Sequence, residues 1–267
     1  MNLDNFVSTL PKSESATTEK NIIVYQMGKV GSSTVYFSLK NGLKMNNDQS
    51  IVAPTHNRVD DTYPTLPLKI YHGHLYSDFS RTFKERIKRG ENVVITLFRD
   101  PISRNISQFF ESPSYGLNSR KNYDVSSNNV KNIIDRFVSG YNHLGCLSWF
   151  KDELERIFKY NILTQPFNHK DGYVVTKEGK NTFIVLKLEK LNETLPIIAK
   201  EVLDIGDFSM VQDNITSEKP HNGNLYKEVK KNLKLPSTII DEIYGDDYVK
   251  YFYTDEEIES LKTKWSR

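Results

Sequence analysis

A short, nearly continuous apolar run, Asn21–Gln26 (NIIVYQ), leads through a glycine turn into a helical pattern over Ser32–Lys40. A run of this length without polar alternation predicts a strand that is covered on both faces. The same order recurs at Asn92–Phe98 (NVVITLF), after which Asp100 and Pro101 begin the next helix. Strands that alternate with helices predict an α/β fold with a mainly parallel central sheet flanked by helices.

The length of 267 residues suits one large domain, which we place at residues 21–267 after a flexible leader at residues 1–20. The polar stretch Ser112–Asn129 is expected to be a loop near the site. Further strands are predicted at Ile51–Ala53, Leu68–His72, Tyr173–Thr176 and Phe183–Leu188, the last two as a hairpin. Further helices are predicted at Phe79–Arg89, Val130–Ser139, Leu147–Tyr160, Leu191–Leu203 (broken or shifted by Pro196) and, in the helical last third, Asp255–Trp265.

Composition excludes several classes of protein. The 36 basic and 34 acidic residues give a net charge of +2, so no general nucleic-acid-binding face is expected. The single cysteine, Cys146, excludes an internal disulfide and a zinc site built on several cysteines. No apolar run is long enough for an integral membrane segment, and the first residues do not resemble a secretory signal, so a cytoplasmic protein is expected.

The turn Gly28–Thr34 (GKVGSST) indicates an anion site. A nucleotide-triphosphate loop places its lysine after the second glycine, whereas Lys29 precedes Gly31, so the magnesium-nucleotide loop is excluded and the dinucleotide fingerprint fails too. Backbone N–H groups at a helix N-terminus nevertheless favour an anion, and Lys29 and the hydroxyls of Ser32, Ser33 and Thr34 add to that preference. The alternative is an ordinary strand-to-helix turn capped by Ser32.

A second basic segment follows the strand Asn92–Phe98. Arg99 leaves the strand end, and Ser107 lies roughly two turns into the next helix, on a face that could converge with Arg99. Because ligands of open α/β sheets bind at the carboxyl ends of the strands, the two segments suggest two phosphate groups on one ligand. The alternatives are a salt bridge from Arg99 to Asp100 or Glu111 and a solvated serine at Ser107.

These two segments, QMGKVGSST and FRDPISRNISQFF, resemble the nucleotide-binding segments of the sulfotransferases, which use 3′-phosphoadenylyl sulfate (PAPS) as the donor. The resemblance implies a P-loop-like three-layer fold with the mainly parallel sheet in the middle. It also implies that Arg99 and Ser107 hold the 3′-phosphate of PAPS. It implies that the 5′-phosphosulfate is held by Lys29, Gly31, Ser32, Ser33 and Thr34. The loop departs from the family's commoner Pro-Lys-Thr-Gly-Thr, which should loosen the turn but keeps the lysine and the donors.

Four further stretches extend the resemblance. WFKDELERIFKYNILTQPFNHKDGY, FIVLKLEKLNETLP and YFYTDEEIESLKTKW look like bacterial sulfotransferase-like proteins of capsular polysaccharide synthesis. His72-Gly73-His74 is similar to the His-Gly-His segment of 2-O-sulfotransferases, which implies His74 as the base and His72 as its helper. The alternatives are a metal-ligand pair and two satisfied strand-end histidines, and His143 is a rival base. His169 and His221 are expected to be solvated.

The expected activity is therefore transfer of a sulfuryl group from PAPS to a hydroxyl of a saccharide or another small acceptor. The product nucleotide would be adenosine 3′,5′-bisphosphate (PAP), and the resemblance implies no metal. Two other classes stay open at this point: a non-catalytic nucleotide- or glycan-binding protein of polysaccharide assembly, and a P-loop small-molecule kinase.

Overall fold

The computed structural model describes residues 20–43, 68–112, 124–211 and 223–266. These residues form two compact units. The first contains residues 20–26, 31–43, 68–97 and 170–211, and the second contains 27–30, 98–112, 124–169 and 223–266. The predicted single domain stays a prediction. The predicted leader, the strand at Ile51–Ala53 and His221 lie outside the described residues, apart from Lys20, which begins the first strand.

The helices and strands follow the predicted order in most of the described chain. The strands are β1 (Lys20–Tyr25), β2 (Leu68–Gly73), β3 (Glu91–Phe98), β4 (Tyr173–Glu178) and β5 (Asn181–Lys187). The longer α-helices are α1 (Ser32–Gly42), α2 (Arg81–Arg89), α3 (Pro101–Glu111), α4 (Ser127–Gly140), α5 (Leu191–Glu201), α6 (Gly223–Asn232), α7 (Ser237–Tyr244), α8 (Asp247–Phe252) and α9 (Asp255–Trp265).

The sheet has the strand order β2-β1-β3-β5-β4. Strand β1 pairs in parallel with both β2 and β3, so that Val24 lies opposite His72 on one side and Ile95 on the other. Strands β4 and β5 form the predicted antiparallel hairpin, closed at Glu178 and Asn181. The sheet is thus mainly parallel at β1, β2 and β3, as the apolar runs predict.

Helices of the first unit cover both faces of this sheet. Tyr36 of α1 stacks on His72 of β2, with ring centroids 5.6 Å apart. Phe83 of α2 packs on Tyr71, with centroids 3.9 Å apart. Because successive strand residues point to opposite faces, α1 and α2 lie on opposite sides of the sheet, which confirms the α/β class with three layers.

Two predicted helices differ from the observed ones. The segment expected to be helical over Leu147–Tyr160 is instead a π-helix at Phe150–Glu155 that continues as one helical turn to Phe158. Helix α5 runs unbroken from Leu191 to Glu201 with Pro196 inside it, so the expected break does not occur. Burial of Leu195 and Ile198 against the core compensates for the backbone hydrogen bond that proline cannot make.

The second unit has an aromatic core. Phe98, the last residue of β3, stacks on Phe252 of α8 with ring centroids 4.4 Å apart, and Phe150 lies beside both rings. Cys146 is buried, and burial raises the pKa of its thiol to about 11, so it behaves as the small apolar residue expected from its isolation. This core supports the end of β3, from which the second predicted anion segment begins.

Candidate functional site

Arg99 and Ser107 converge in the second unit. Asp100 caps α3 and Pro101 occupies its first turn, so Arg99 lies directly before the helix. The Arg99 guanidinium donates from Nη1 to Ser107 Oγ at 3.2 Å and to the carbonyl oxygen of Lys29 at 3.1 Å. The predicted pair is thus brought together, and neither alternative for Arg99, an ion pair with Asp100 or Glu111, accounts for these contacts.

Lys29 lies in a strained backbone conformation beside this pair. Its φ is 73°, in the left-handed region that non-glycine residues rarely adopt. The carbonyl oxygens of Gly28 and Lys29 accept hydrogen bonds from Arg104 Nε at 3.1 Å and from Arg99. Two arginines of the second segment therefore hold the turn that carries the lysine.

The Lys29 ammonium forms an ion pair with the carboxylate of Glu111 at the end of α3. Both side chains are mostly buried, with 15% and 23% of their surfaces exposed. Glu111 was expected only as a possible partner of Arg99, so its pairing with the lysine is a correction. An anion that binds Lys29 has to compete with this carboxylate.

Ser107 is not the solvated serine of the alternative interpretation. Its hydroxyl is buried, donates to the carbonyl of Ser103 at 3.1 Å, and lies 3.1 Å from the hydroxyl of Tyr226 on α6. No sequence signal indicated Tyr226, because it lies 119 positions from Ser107 along the chain.

Asp100 does more than cap a helix, which is the role the sequence suggested. Its carboxylate accepts from the backbone N–H groups of Ile102 and Ser103, as a cap does, and from the Ser103 hydroxyl. It also accepts from the Tyr244 hydroxyl at 2.7 Å and from the Trp265 indole at 3.1 Å. Since Asp100 is 3% exposed, these contacts join the start of α3 to α7 and α9 in a dry environment.

The first unit contains the other half of the predicted loop. Gly31, with a φ of 85°, occupies the N-cap position of α1. The alternative interpretation, a turn capped by Ser32, is therefore wrong about the capping residue. Ser32 is buried, and Ser33 and Thr34 are partly exposed in the first turn. Because glycine has no side chain to cap the turn, the N–H groups of this helix end are suited to an external acceptor.

His72 and His74 follow each other at the end of β2, with ring centroids 5.1 Å apart. Nδ1 of His74 lies 2.9 Å from the carbonyl oxygen of Gln26, an atom that can only accept. In the neutral ring, Nδ1 therefore carries the proton and donates this hydrogen bond, which places the lone pair on Nε2.

His72 is neutral under ordinary conditions. Burial, with a smaller effect from the charge on His74, lowers its pKa to about 4. A neutral neighbour does not repel a proton gained by His74, as the predicted roles of base and helper require.

His143, the rival base, is buried against the rings of Phe137 and Tyr141. Its Nε2 lies 3.0 Å from the Phe137 carbonyl, and burial lowers its pKa, an effect that the hydrogen bonds to backbone carbonyls partly oppose. Its own carbonyl accepts from Asn105 of α3 at 2.8 Å. These contacts indicate a structural role in the second unit.

His169 was expected to be solvated, but it is partly buried and its Nε2 lies 3.0 Å from the Tyr251 carbonyl. Among the described residues, no group of three or more histidine, cysteine, aspartate or glutamate side chains could hold a metal ion. None of the described helices is both long enough and apolar enough to cross a membrane.

Comparisons with known proteins bear on part of the chain. Residues 122–254, just under half of the sequence, match the model of the family NKWYS, described as "Putative capsular polysaccharide synthesis protein". This match confirms the predicted resemblance to proteins of capsular polysaccharide synthesis in that segment. No curated protein matches the chain.

One similar solved structure is the crystal structure of mouse sulfotransferase SULT7A1 complexed with PAP. The sequence identity is 13%, the TM-score is 0.32, and the alignment covers 98% of this chain and 86% of that one. A likeness at this TM-score supports no inference by itself, so the functional proposal rests on the residues described above.

Proposed function

We propose that this protein is a sulfotransferase that moves a sulfuryl group from PAPS to a hydroxyl of a saccharide. The observation that carries the proposal is the convergence of the Arg99 guanidinium, the Ser107 hydroxyl and the carbonyl of Lys29 beside a glycine turn. A guanidinium and a hydroxyl at the end of a strand suit a phosphate group, because the guanidinium carries a permanent charge and a fixed set of donors.

In this proposal the 3′-phosphate of PAPS contacts Arg99 and Ser107. The 5′-phosphosulfate contacts the ammonium of Lys29 and the turn that follows it. The remaining contacts of the phosphosulfate are the backbone N–H groups and hydroxyls of Gly31, Ser32, Ser33 and Thr34. The glycine N-cap of α1 supports this assignment, since a helix end without a capping side chain favours an anion.

The transfer itself needs a base and a group that stabilises the leaving phosphate. The acceptor oxygen attacks sulfur and loses its proton to Nε2 of His74, while the bond from sulfur to the 5′-phosphate oxygen breaks. The charge that develops on this oxygen is stabilised by the Lys29 ammonium, which exchanges Glu111 for the phosphate. His72 helps by staying uncharged itself, so that it does not repel the proton that His74 gains. The products are the sulfated acceptor and PAP.

The saccharide acceptor is the least constrained part of the proposal. It is supported by the His-Gly-His pattern at His72–His74 and by the capsular polysaccharide family that matches residues 122–254. The donor and the acceptor can therefore be tested separately.

Titration calorimetry with PAP, in the absence and presence of magnesium, tests the donor. We expect PAP to bind without magnesium and ATP to bind more weakly. Failure of PAP to bind refutes the proposal, and binding of ATP that requires magnesium indicates a kinase instead.

A sulfate-transfer assay with a panel of saccharides then tests catalysis. We expect His74→Ala and Lys29→Ala to retain the fold and to lower kcat by at least about a hundredfold, as the loss of a base or of a charge-stabilising group does. His169→Ala is the matched control, because its ring nitrogen also contacts a backbone carbonyl. If PAP binds but the wild type transfers sulfate to no member of the panel, a non-catalytic binding protein is indicated.

A further inference from the structure

Tyr226 on α6 places its hydroxyl at the predicted anion pair, although no family motif identified it. The hydroxyl lies 3.1 Å from Ser107 Oγ, and the side chain is buried. The Phe110 and Tyr226 rings are nearly perpendicular, with centroids 5.4 Å apart, and Lys230 Nζ lies 5.9 Å from the Tyr226 ring centroid. Packing on the helix that carries Ser107 therefore fixes the position of the tyrosine ring.

The other hydrogen bonds of Ser107 determine whether Ser107 or Tyr226 is the donor in the contact between their hydroxyls. A serine hydroxyl has one proton and two lone pairs. The guanidinium of Arg99 donates to one lone pair, and the serine proton goes to the carbonyl of Ser103, which can only accept. The second lone pair is left for Tyr226, so Tyr226 is the donor in its contact with Ser107.

This arrangement gives Tyr226 a specific use when an anion arrives. The serine proton is engaged with the backbone of α3, whereas the tyrosine proton can rotate about the C–O bond toward a new acceptor. A phosphate oxygen that approaches Arg99 and Ser107 is a stronger acceptor than a serine hydroxyl, because it is charged. The tyrosine hydroxyl is thus a donor that can turn to the phosphate without breaking the hydrogen bond between Ser107 and the helix.

We propose that Tyr226 is the third polar group of the site formed by Arg99 and Ser107, and that its hydroxyl makes the protein select nucleotides that carry a 3′-phosphate. The inference rests on the proposed function, since it assumes that the anion at Arg99 is the 3′-phosphate of the donor. It extends that function by assigning the discrimination between PAP and adenosine 5′-monophosphate to a residue of α6.

The test compares the affinities of PAP and adenosine 5′-monophosphate by titration calorimetry in the wild type and in Tyr226→Phe. The substitution removes one oxygen and keeps the ring that packs on Phe110. We expect the dissociation constant for PAP to rise about tenfold, the loss typical of one hydrogen bond to a charged group, and that for the monophosphate to stay within about twofold.

Tyr141→Phe is the matched control. Its hydroxyl also contacts α3, where it accepts a hydrogen bond from Arg104 Nη1 at 3.1 Å. We expect this variant to keep the wild-type ratio of the two affinities. Ser107→Ala provides a second test that does not alter an aromatic side chain. Because it removes the hydroxyl that contacts both Arg99 and Tyr226, the two donors to the phosphate, we expect it to reduce the preference for PAP as well.

The outcomes separate this inference from the proposed function. If the wild type prefers PAP and Ser107→Ala reduces that preference while Tyr226→Phe does not, the role of Tyr226 is refuted and the proposed donor site survives. If Tyr226→Phe and Tyr141→Phe reduce the preference equally, the effect is structural and the inference is again refuted. If the wild type does not prefer PAP, the proposed function and the inference fall together.

Discussion

Replacing Asp100 by asparagine should destabilise the second unit more than any other isosteric change of a single polar group at this site. The carboxylate accepts hydrogen bonds on both oxygens. Oδ1 receives Tyr244 at 2.7 Å and the Ile102 N–H at 3.4 Å, and Oδ2 receives the N–H and hydroxyl of Ser103 and the Trp265 indole. Asparagine retains one acceptor oxygen and directs an NH2 group at donors on the other side.

The asparagine amide can adopt two orientations, and the less costly one sets the expected loss in the free energy of unfolding. With its oxygen in place of Oδ2, it keeps the contacts of Ser103 and Trp265 and loses those of Tyr244 and of the Ile102 N–H. A hydrogen bond to a charged acceptor is worth about 1.5–3 kcal/mol, and the contacts that remain become weaker because the acceptor is neutral. We expect the free energy of unfolding to fall by about 3 kcal/mol. Tyr244→Phe, which removes one of these donors, should cost about 2 kcal/mol.

Chemical denaturation followed by tryptophan fluorescence measures this loss. Trp265 is 1% exposed and contacts Asp100, and the only other tryptophan, Trp149, lies in the same unit, so the signal reports on the region that changes. The matched control is Asp246→Asn. Asp246 caps α8 through the Tyr248 N–H, and asparagine caps a helix equally well, so the control should change stability by less than about 0.5 kcal/mol.

A second measurement tests the pairwise contact. The variant that combines Asp100→Asn with Tyr244→Phe should lose less stability than the sum of the losses in the two single variants, because both changes remove the same hydrogen bond. If Asp100→Asn is as stable as the Asp246→Asn control, or if the two losses simply add, Asp100 does not join α3 to α7 in the way the contacts indicate.

Three further changes test individual parts of the two units. The folded protein holds the pKa of His72 at about 4, so the unfolded state binds more protons between that value and about pH 6.5. The free energy of unfolding therefore falls as the pH drops through this window. In denaturation curves, His72→Phe should reduce this fall by up to about 3 kcal/mol. Glu111→Gln removes the carboxylate that pairs with Lys29, and calorimetry should show PAP binding about threefold more tightly. Gly31→Ala places a Cβ 2.5 Å from Leu188 Cδ1 at a φ of 85°, and should lower the free energy of unfolding by about 2 kcal/mol.

Each of these changes has its own control. His143 also has a lowered pKa, so some pH dependence should remain in the His72 variant; an unchanged slope would show that His72 does not contribute. Glu153→Gln, which removes a carboxylate paired with Arg156, should leave PAP affinity unaltered, and equal effects of the two glutamate changes would refute a specific role for Glu111. Adding Leu188→Ala to the glycine variant should recover the steric part of the loss, and no recovery would assign the whole cost to backbone strain.

The parts of the fold and the site that sequence could predict are local ones. The apolar runs at β1 and β3 predict buried strands because their length and lack of alternation depend only on neighbouring residues. The contact between Arg99 and Ser107 was predictable because both residues lie on or beside one helix, whose rise and rotation set their separation. His72 lies in β2 and His74 directly after its end, and their ring centroids are 5.1 Å apart, as alternation along an extended chain leads one to expect.

Contacts between distant segments could not be predicted from spacing. Tyr226 is 119 positions from Ser107, and Trp265 is 165 positions from Asp100. A buried tyrosine or tryptophan on an amphipathic helix is first explained by the apolar core, and only the structure shows that each polar atom reaches α3. The pairing of Lys29 with Glu111 is likewise a tertiary contact that no motif records.

The conformation of Lys29 affects how variants of Arg99 should be interpreted. A non-glycine residue at positive φ costs on the order of 1 kcal/mol or more and persists only where its surroundings hold it. Here the carbonyl of Lys29 accepts from Arg99, so this guanidinium supports the strained turn in addition to facing Ser107. Loss of nucleotide binding in an Arg99 variant would therefore combine a missing phosphate contact with a relaxed turn. Ser107→Ala and Tyr226→Phe leave the hydrogen bond from Arg99 to the turn in place, and they are the variants that isolate recognition of the phosphate.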